Sequence, residues 1–397
     1  MKFFRNKIVN PLLEFIKDSR AIGITLLCCT ALSLIISNIS GIGVSYQTFW
    51  QQHFDGTANH HTHLLFLSLP NSPLLIINDF LMAIFFFLAG MEIKRELLEG
   101  ELSSFKNSIL PIVAALGGML MPAILYLFFN HHNSSTKGWA IPTATDIAFT
   151  LGIASLLGKR VPVSLKIFLT ALAIIDDLGA IVVIALFYGG TIQLMYTIAC
   201  LIIAGVFFLL NKFKIKNALL YTVSALVLWY CMFNSGIHAT VAGVVFASFI
   251  PAGQLKKLEH YFHLPVYFII IPLFALANSI IIFSDNSFNN IFHSTVSWGV
   301  IAGLCLGKPF GIFLISFLVI KLKWANMPDE TNNMQLLGAG ILAGIGFTMS
   351  IFITTLAFTT QTEQDIAKTA VFIASLIAMI TGFIWLRVFS PQSRKER

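Results

Sequence analysis

The sequence predicts an all-α polytopic membrane protein of about twelve transmembrane helices, and three observations carry that prediction. Hydrophobic residues fill 57% of the 397 positions and charged residues only 11%, against roughly 25% charged in a soluble domain. Apolar runs of ~20 residues, each able to cross ~30 Å of hydrocarbon as a helix, recur along nearly the whole chain. The Lys and Arg residues collect in alternate gaps between these runs, as they do when one face of a membrane is cytoplasmic.

Taken in order, residues 1–20 form a basic, amphipathic lead-in expected to lie along the inner membrane surface. The first apolar run centres near residue 29. It reads as a span and not as a cleaved signal peptide, because no small-residue cleavage site follows and the next segment is a polar loop. The stretch from Gly41 to Pro73 is the longest external segment, and it carries Trp50, His53, His60, His61 and His63 but no Lys or Arg. It is expected to be a polar loop or hairpin and not a metal site. Further spans centre near residues 85, 118, 146, 176, 204, 224, 243, 268, 308, 347 and 377, with Asn234-Ser235-Gly236 dividing the seventh from the eighth. The transmembrane region is thus one domain over 21–390, followed by a basic tail over 391–397. Its loops leave no room for a nucleotide-binding module and no GxxxxGK[ST] motif is present, which argues against ATP-driven pumping by this chain alone.

With the N-terminus cytoplasmic and twelve spans following, all of the 25 Lys and Arg residues except Lys137, Lys308 and Lys368 fall inside or at the inner ends of helices. Both termini are then cytoplasmic, and the formal charge of +7 reflects membrane orientation, with no nucleic-acid partner. Cys28, Cys29, Cys200, Cys231 and Cys305 all lie in apolar segments without CxxC or zinc-type spacing. They read as buried thiols, not as disulfides or ligands of a resident metal.

Two spans look interrupted. The fourth contains Ile141-Pro142-Thr143-Ala144-Thr145-Asp146, and the eleventh contains Gly338, Gly340, Gly344 and Gly346 followed by Thr348 and Ser350. They are the middle members of spans three to five and ten to twelve, and they run in opposite directions. Broken helices at matching places in two oppositely oriented halves point to inverted repeats, here about 108–188 and 297–388, with a site where the breaks cross near the midplane. Glycine-mediated close packing of helices is the competing reading of the eleventh span.

Asp176 and Asp177 lie near the centre of the span from Val163 to about Tyr188. By span midpoints, Asp146, this pair, Lys308 and the glycine break share one depth. An ionisable group in hydrocarbon must be neutralised, paired or cation-bound, so it marks an ion pathway by default. Carboxylates, the Thr145 hydroxyl and unwound carbonyls are the oxygen ligands a hard monovalent cation such as Na+ or Li+ takes. Protons compete for the same carboxylates, which makes the two ions mutually exclusive occupants. Lys308 can pair with an aspartate when no cation is held.

Ala173-Ile174-Ile175-Asp176-Asp177-Leu178-Gly179-Ala180-Ile181, Thr145-Asp146-Ile147-Ala148-Phe149 and Gly344-Ile345-Gly346-Phe347-Thr348-Met349-Ser350-Ile351-Phe352 closely resemble segments of the NhaA family of bacterial sodium/proton antiporters. Gly90-Met91-Glu92-Ile93-Lys94-Arg95-Glu96-Leu97, Gly236-Ile237-His238-Ala239-Thr240 and Leu258-Glu259-His260 extend the likeness over about 78–387. The resemblance implies a twelve-helix inner-membrane antiporter without cofactors. It extrudes Na+ or Li+ for external protons, electrogenically and with activation at alkaline pH. It further implies cation (Na+) binding at Asp177 and Asp146, proton carriage and an ion pair to Lys308 at Asp176, and pH sensing by Glu92, Arg95, Glu96, Glu259, His260 and His263, with His238 in the same role. Read from the residues alone, the Glu/Arg/Glu group is equally a solvated charge network and His238 an interior hydrogen-bonded histidine. A homodimer through the early external segment is implied as well, although that segment is longer and richer in histidine than the family pattern and the one before Glu259 is shorter.

Three rival readings fit less well. A passive cation channel needs neither a lysine at the depth of the acids nor inverted broken helices. An intramembrane aspartyl protease places its acids on different helices in YD and GxGD contexts, not in IDD and TD. A proton-coupled organic-ion transporter keeps this fold but adds an apolar or hydrogen-bonding pocket beyond the acids.

Overall fold

Hydrocarbon offers main-chain N–H and C=O groups no partner, so each apolar run must satisfy its own backbone, and a helix does that within one segment. The computed structural model describes residues 19–56, 61–64, 67–131, 134–215, 217–282 and 291–390. The lead-in over 1–18, His60, Lys216 and the tail over 391–397 lie outside the described residues, as do the side chains of Arg20, His63 and Lys106.

The helices are α1 (Ser19–Ser37), α2 (Gly43–Gln51), α3 (Pro73–Glu99), α4 (Phe105–Asn130), α5 (Ile147–Leu156), α6 (Val163–Phe187), α7 (Leu194–Lys212), α8 (Ala218–Ser235), α9 (Val241–Phe249), α10 (Ala252–Asn278), α11 (Thr295–Lys321), α12 (Asn333–Ala343), α13 (Phe347–Ala357) and α14 (Gln361–Phe389). A 3-10 segment, Ser134–Thr143, precedes α5. Among the described residues nine helical stretches are long and apolar enough to cross a membrane, and ten if α12 and α13, bent by 45° at their break, count as one. The protein is therefore an all-α polytopic membrane protein. Ala21–Ser37 falls just short of the same length, and α9 is only nine residues long. The physical reason for the early stop of α9 is Pro251, which cannot continue the hydrogen-bond ladder.

The stretch after Gly41, expected as a polar loop or hairpin, takes the hairpin form in its described residues. It folds as α2 and a two-stranded antiparallel ribbon, β1 (His61–Leu64) and β2 (Leu67–Pro70), with His61 opposite Pro70 and Leu64 opposite Leu67. Asn71 holds the neighbouring turn, its amide donating to Asp55 at 2.7 Å and its side-chain oxygen accepting from the Phe54 amide at 3.1 Å.

The chain divides into two units. The first takes residues 1–31, 104–176 and 283–397, hence α4, α5 and α11 to α14. The second takes 32–103 and 177–282, hence α2, the ribbon, α3 and α7 to α10. The boundary in α6 falls between Asp176 and Asp177.

Within the first unit α4 and α11 touch backbone to backbone at Gly117 and Gly311. A Cβ on either glycine would strike the other's carbonyl oxygen. Small residues permit this approach, which side chains would forbid. A π-helical turn, Gly303–Gly307, then widens α11 immediately before Lys308, a local feature often found at functional positions. In the second unit α3 and α9 pack as closely, because a Cβ on Gly243 would strike the Ala83 carbonyl. Phe87 stacks on Phe246 beside them with ring centroids 4.7 Å apart. Lipid is left for α7, which buries only 17% of its apolar window and exposes Leu194, Met195, Leu201 and Ile202.

Candidate ion-binding site

The site begins with two helices that stop in mid-span. The 3-10 segment ends at Thr143, residues 144–146 belong to no helix, with Asp146 extended, and α5 starts at Ile147. Likewise α12 ends at Ala343 and α13 starts at Phe347. Each break strands backbone groups that hydrocarbon cannot satisfy, and the two breaks satisfy one another. The Asp146 amide donates to the Ile345 carbonyl at 2.7 Å. Thr145 Oγ1 donates to the Ala343 carbonyl at 3.0 Å, and Thr150 Oγ1 to the Leu342 carbonyl at 3.1 Å. In return Ser350 Oγ donates to the Ile141 carbonyl at 2.7 Å.

Charge follows the helix ends. Asp146 caps α5, its Oδ1 accepting from the Phe149 amide at 3.2 Å, and its Oδ2 accepts from the Thr348 amide in the first turn of α13 at 3.1 Å. The Thr348 hydroxyl donates to the same oxygen. One carboxylate thus faces the positive ends of two half-helices. Lys308 takes the complementary position, its ammonium donating to the carbonyl of Thr143 at the C-terminal end of the 3-10 segment. Anions at helix N-termini and cations at C-termini are the favourable arrangement.

The same ammonium lies 3.0 Å from Asp176 Oδ2, with both side chains fully buried. Thr145 Oγ1 lies 2.6 Å from that oxygen as well as 3.0 Å from the Ala343 carbonyl, and its single proton serves one of the two acceptors at a time. Asp176 Oδ1, equally buried, accepts no hydrogen bond among the described residues. A buried carboxylate oxygen without a donor is open to a proton or a cation. Asp177 follows on α6, only 5% exposed, as the first residue of the second unit's share of the helix. Gly344 and Gly346 are needed for the crossing itself. A Cβ on Gly344 would lie 2.5 Å from the Leu304 carbonyl oxygen, and one on Gly346 would strike Ser350 Oγ. The two readings of the glycine-rich span, helix break and close packing, therefore both hold.

A family model described as Na+/H+ antiporter 1 matches residues 13–386. The chain belongs to this antiporter family. It is 46% identical to "Na(+)/H(+) antiporter NhaA 2" of Flavobacterium johnsoniae over 96% of its own length and 94% of that protein's. Identity to "Na(+)/H(+) antiporter NhaA 1" of Clostridium beijerinckii is 44%, covering 95% of both chains. "Na(+)/H(+) antiporter NhaA" of Flavobacterium psychrophilum is 45% identical over 96% of this chain and 97% of that one.

In this member of the antiporter family the charged set at the C-terminal end of α3 is tied to α10. Arg95 bridges Glu96 and Glu259, each at 2.9 Å, and Glu92 lies within electrostatic range of all three. Lys256 pairs with Glu99 at 2.8 Å. Lys94 was not singled out from the sequence, yet its ammonium caps α9 by donating to the Ser248 and Ile250 carbonyls, both at 2.6 Å. His260 is exposed and His263 is exposed with its ring 4.6 Å from that of Tyr267. His238 stands at the other end of α9, beside Thr240 at 2.8 Å and Asp79 at 3.8 Å. The structure thus gathers Glu92, Arg95, Glu96 and Glu259 and does not bring His238 to them. Thr348 and the Thr143 carbonyl are further site groups that sequence reading left out. Their only signal was a hydroxyl or carbonyl next to a helix break.

Proposed function

We propose that this chain exchanges cytoplasmic Na+ or Li+ for external protons at one locus that holds either ion in turn. It is a secondary transporter and not an enzyme, consistent with its family. The observation that carries the reading is the buried Asp176, whose Oδ2 is held by Lys308 and Thr145 while Oδ1 has no donor among the described residues.

A proton arriving at Asp176 Oδ1 cancels the charge that holds Lys308. Loss of that proton toward the cytoplasm restores the ion pair and leaves carboxylate oxygens for the cation, with Asp177, Asp146 and Thr145 as its ligands. No cofactor enters the cycle, because the proton gradient drives it. Moving more protons than sodium ions makes it electrogenic. The Arg95-centred network at the inner end of α3 and α10 is the proposed place of alkaline activation, with His260, His263 and His238 as weaker contributors.

Twelve spans follow if Ala21–Ser37 and the short α9 both cross, placing both termini in the cytoplasm of a bacterial inner-membrane protein. The repeats run over about 108–188 and 297–388. The helices α4 and α11, which open the two proposed repeats, lie against one another at Gly117 and Gly311. The external ribbon is the proposed homodimer contact.

The test uses everted vesicles in which respiration acidifies the lumen before Na+, Li+ and K+ are added separately across pH 6.5 to 8.5. Na+ and Li+ collapse the gradient in the wild type. Asp176→Asn and Asp177→Asn abolish the response without preventing membrane insertion, and wild-type exchange in both variants refutes the assignment.

A further inference from the structure

Asp146 offers a cation fewer free lone pairs than its burial suggests. Its carboxylate has about four acceptor directions, and Phe149 N, Thr348 N and Thr348 Oγ1 each occupy one. The two amides are fixed by the first turns of α5 and α13, so they cannot turn away. The hydroxyl can, because it is a rotor carrying one proton and two lone pairs.

The Thr348 hydroxyl is therefore the contact at Asp146 Oδ2 able to change its sign toward a cation without moving the backbone. Thr145 is differently placed, since its hydroxyl lies against Asp176 Oδ2 and the Ala343 carbonyl and not against Asp146. Thr348 is also only 7% exposed, so water does not readily substitute for its oxygen.

We propose that Thr348 is a ligand of the transported cation and helps to select it, its hydroxyl turning from donor to acceptor as the ion settles on Asp146 Oδ2. This rests on the exchange reading above. The ligand class is a small alkali cation. Two oxygens already in hydrogen-bond contact form a short edge of a coordination shell, which suits Na+ or Li+ better than a larger ion, since ligand spacing and cavity size set such preferences.

The alternative is that the hydroxyl merely holds Asp146 in place, and the two predict opposite changes in apparent affinity. The full-length protein is reconstituted in proteoliposomes, and KM and saturated rate are measured for Na+ and Li+. Thr348→Val keeps the shape and removes the oxygen. The expected result is a KM raised by about tenfold, the scale of one contact to a charged group, with the saturated rate nearly constant and with recovery in Thr348→Ser. Thr348→Cys, which offers soft sulfur in place of hard oxygen, gives the same loss and serves if the valine variant does not fold. An unchanged or lowered KM in Thr348→Val, or in Thr348→Cys where valine fails to fold, overturns the proposal, because a hydroxyl that only occupies Oδ2 competes with the ion. Failure of the exchange reading is distinguishable: the wild type itself then shows no Na+-dependent proton movement.

Discussion

Lys308 and Asp176 illustrate how a buried ion pair constrains its members. Both are fully buried, 3.0 Å apart, and each has a second partner, the Thr143 carbonyl for the ammonium and the Thr145 hydroxyl for the carboxylate. Removing one member of such a pair leaves the other charge uncompensated, at a cost of about 3–5 kcal/mol, whereas replacing both is often nearly neutral. Lys308→Met is accordingly expected to lower the thermal unfolding midpoint in detergent. Adding Asp176→Asn to it restores most of the loss while exchange stays abolished. A double variant as unstable as Lys308→Met would show that the lysine acts through packing and not through its charge.

At the scale of the element, the two broken helices depend on each other's hydroxyls. Thr150 and Ser350 donate across the crossing to Leu342 and Ile141 carbonyls in fully buried positions. Leaving such a carbonyl without its donor costs about 1–3 kcal/mol, so Thr150→Val and Ser350→Ala each lower the unfolding midpoint, and a double-mutant cycle reads whether the two breaks are coupled. The helix pair α4 and α11 has a sharper steric limit. Gly117→Val or Gly311→Val forces the backbones apart at their point of contact, a strain of about 1–3 kcal/mol or more. Gly205→Ala on α7 faces open space and should leave the midpoint unchanged or raise it, as helix propensity alone favours alanine.

Over the whole molecule the proposed orientation rests on the distribution of basic residues. Lys159, Arg160, Lys321 and Lys323 lie at helix ends assigned to the cytoplasmic face, and Lys137 near the external end of the 3-10 segment. Single cysteines introduced at positions 159 and 321, in a background where the five native cysteines are replaced, are expected to react with a membrane-impermeant maleimide in everted vesicles and not in intact cells. A cysteine at position 137 gives the reverse pattern. The same accessibility at all three positions would remove the topology.

The sequence by itself determined what depends on local composition. Helices over each apolar run follow from the backbone's need for partners in hydrocarbon, and the acids at Asp146, Asp176 and Asp177 stand out because charge there is costly. The ribbon was legible only as one of two options, loop or hairpin, since the contact that settles it, His61 against Phe233 with ring centroids 4.6 Å apart, joins residues far apart in the chain. The shortness of α9 was less legible, because residues 237–240 before it form a turn and not its first helical turn. The pairing of Lys308 with Asp176 was implied by the family resemblance, whereas tertiary structure alone decided that Thr348 and not Thr145 holds Asp146 and that His238 stays apart from the Arg95 network. Burial energy depends on residue type and can be read along a chain. Hydrogen-bond pairing depends on angles and distances between segments hundreds of residues apart, and those exist only once the helices have packed.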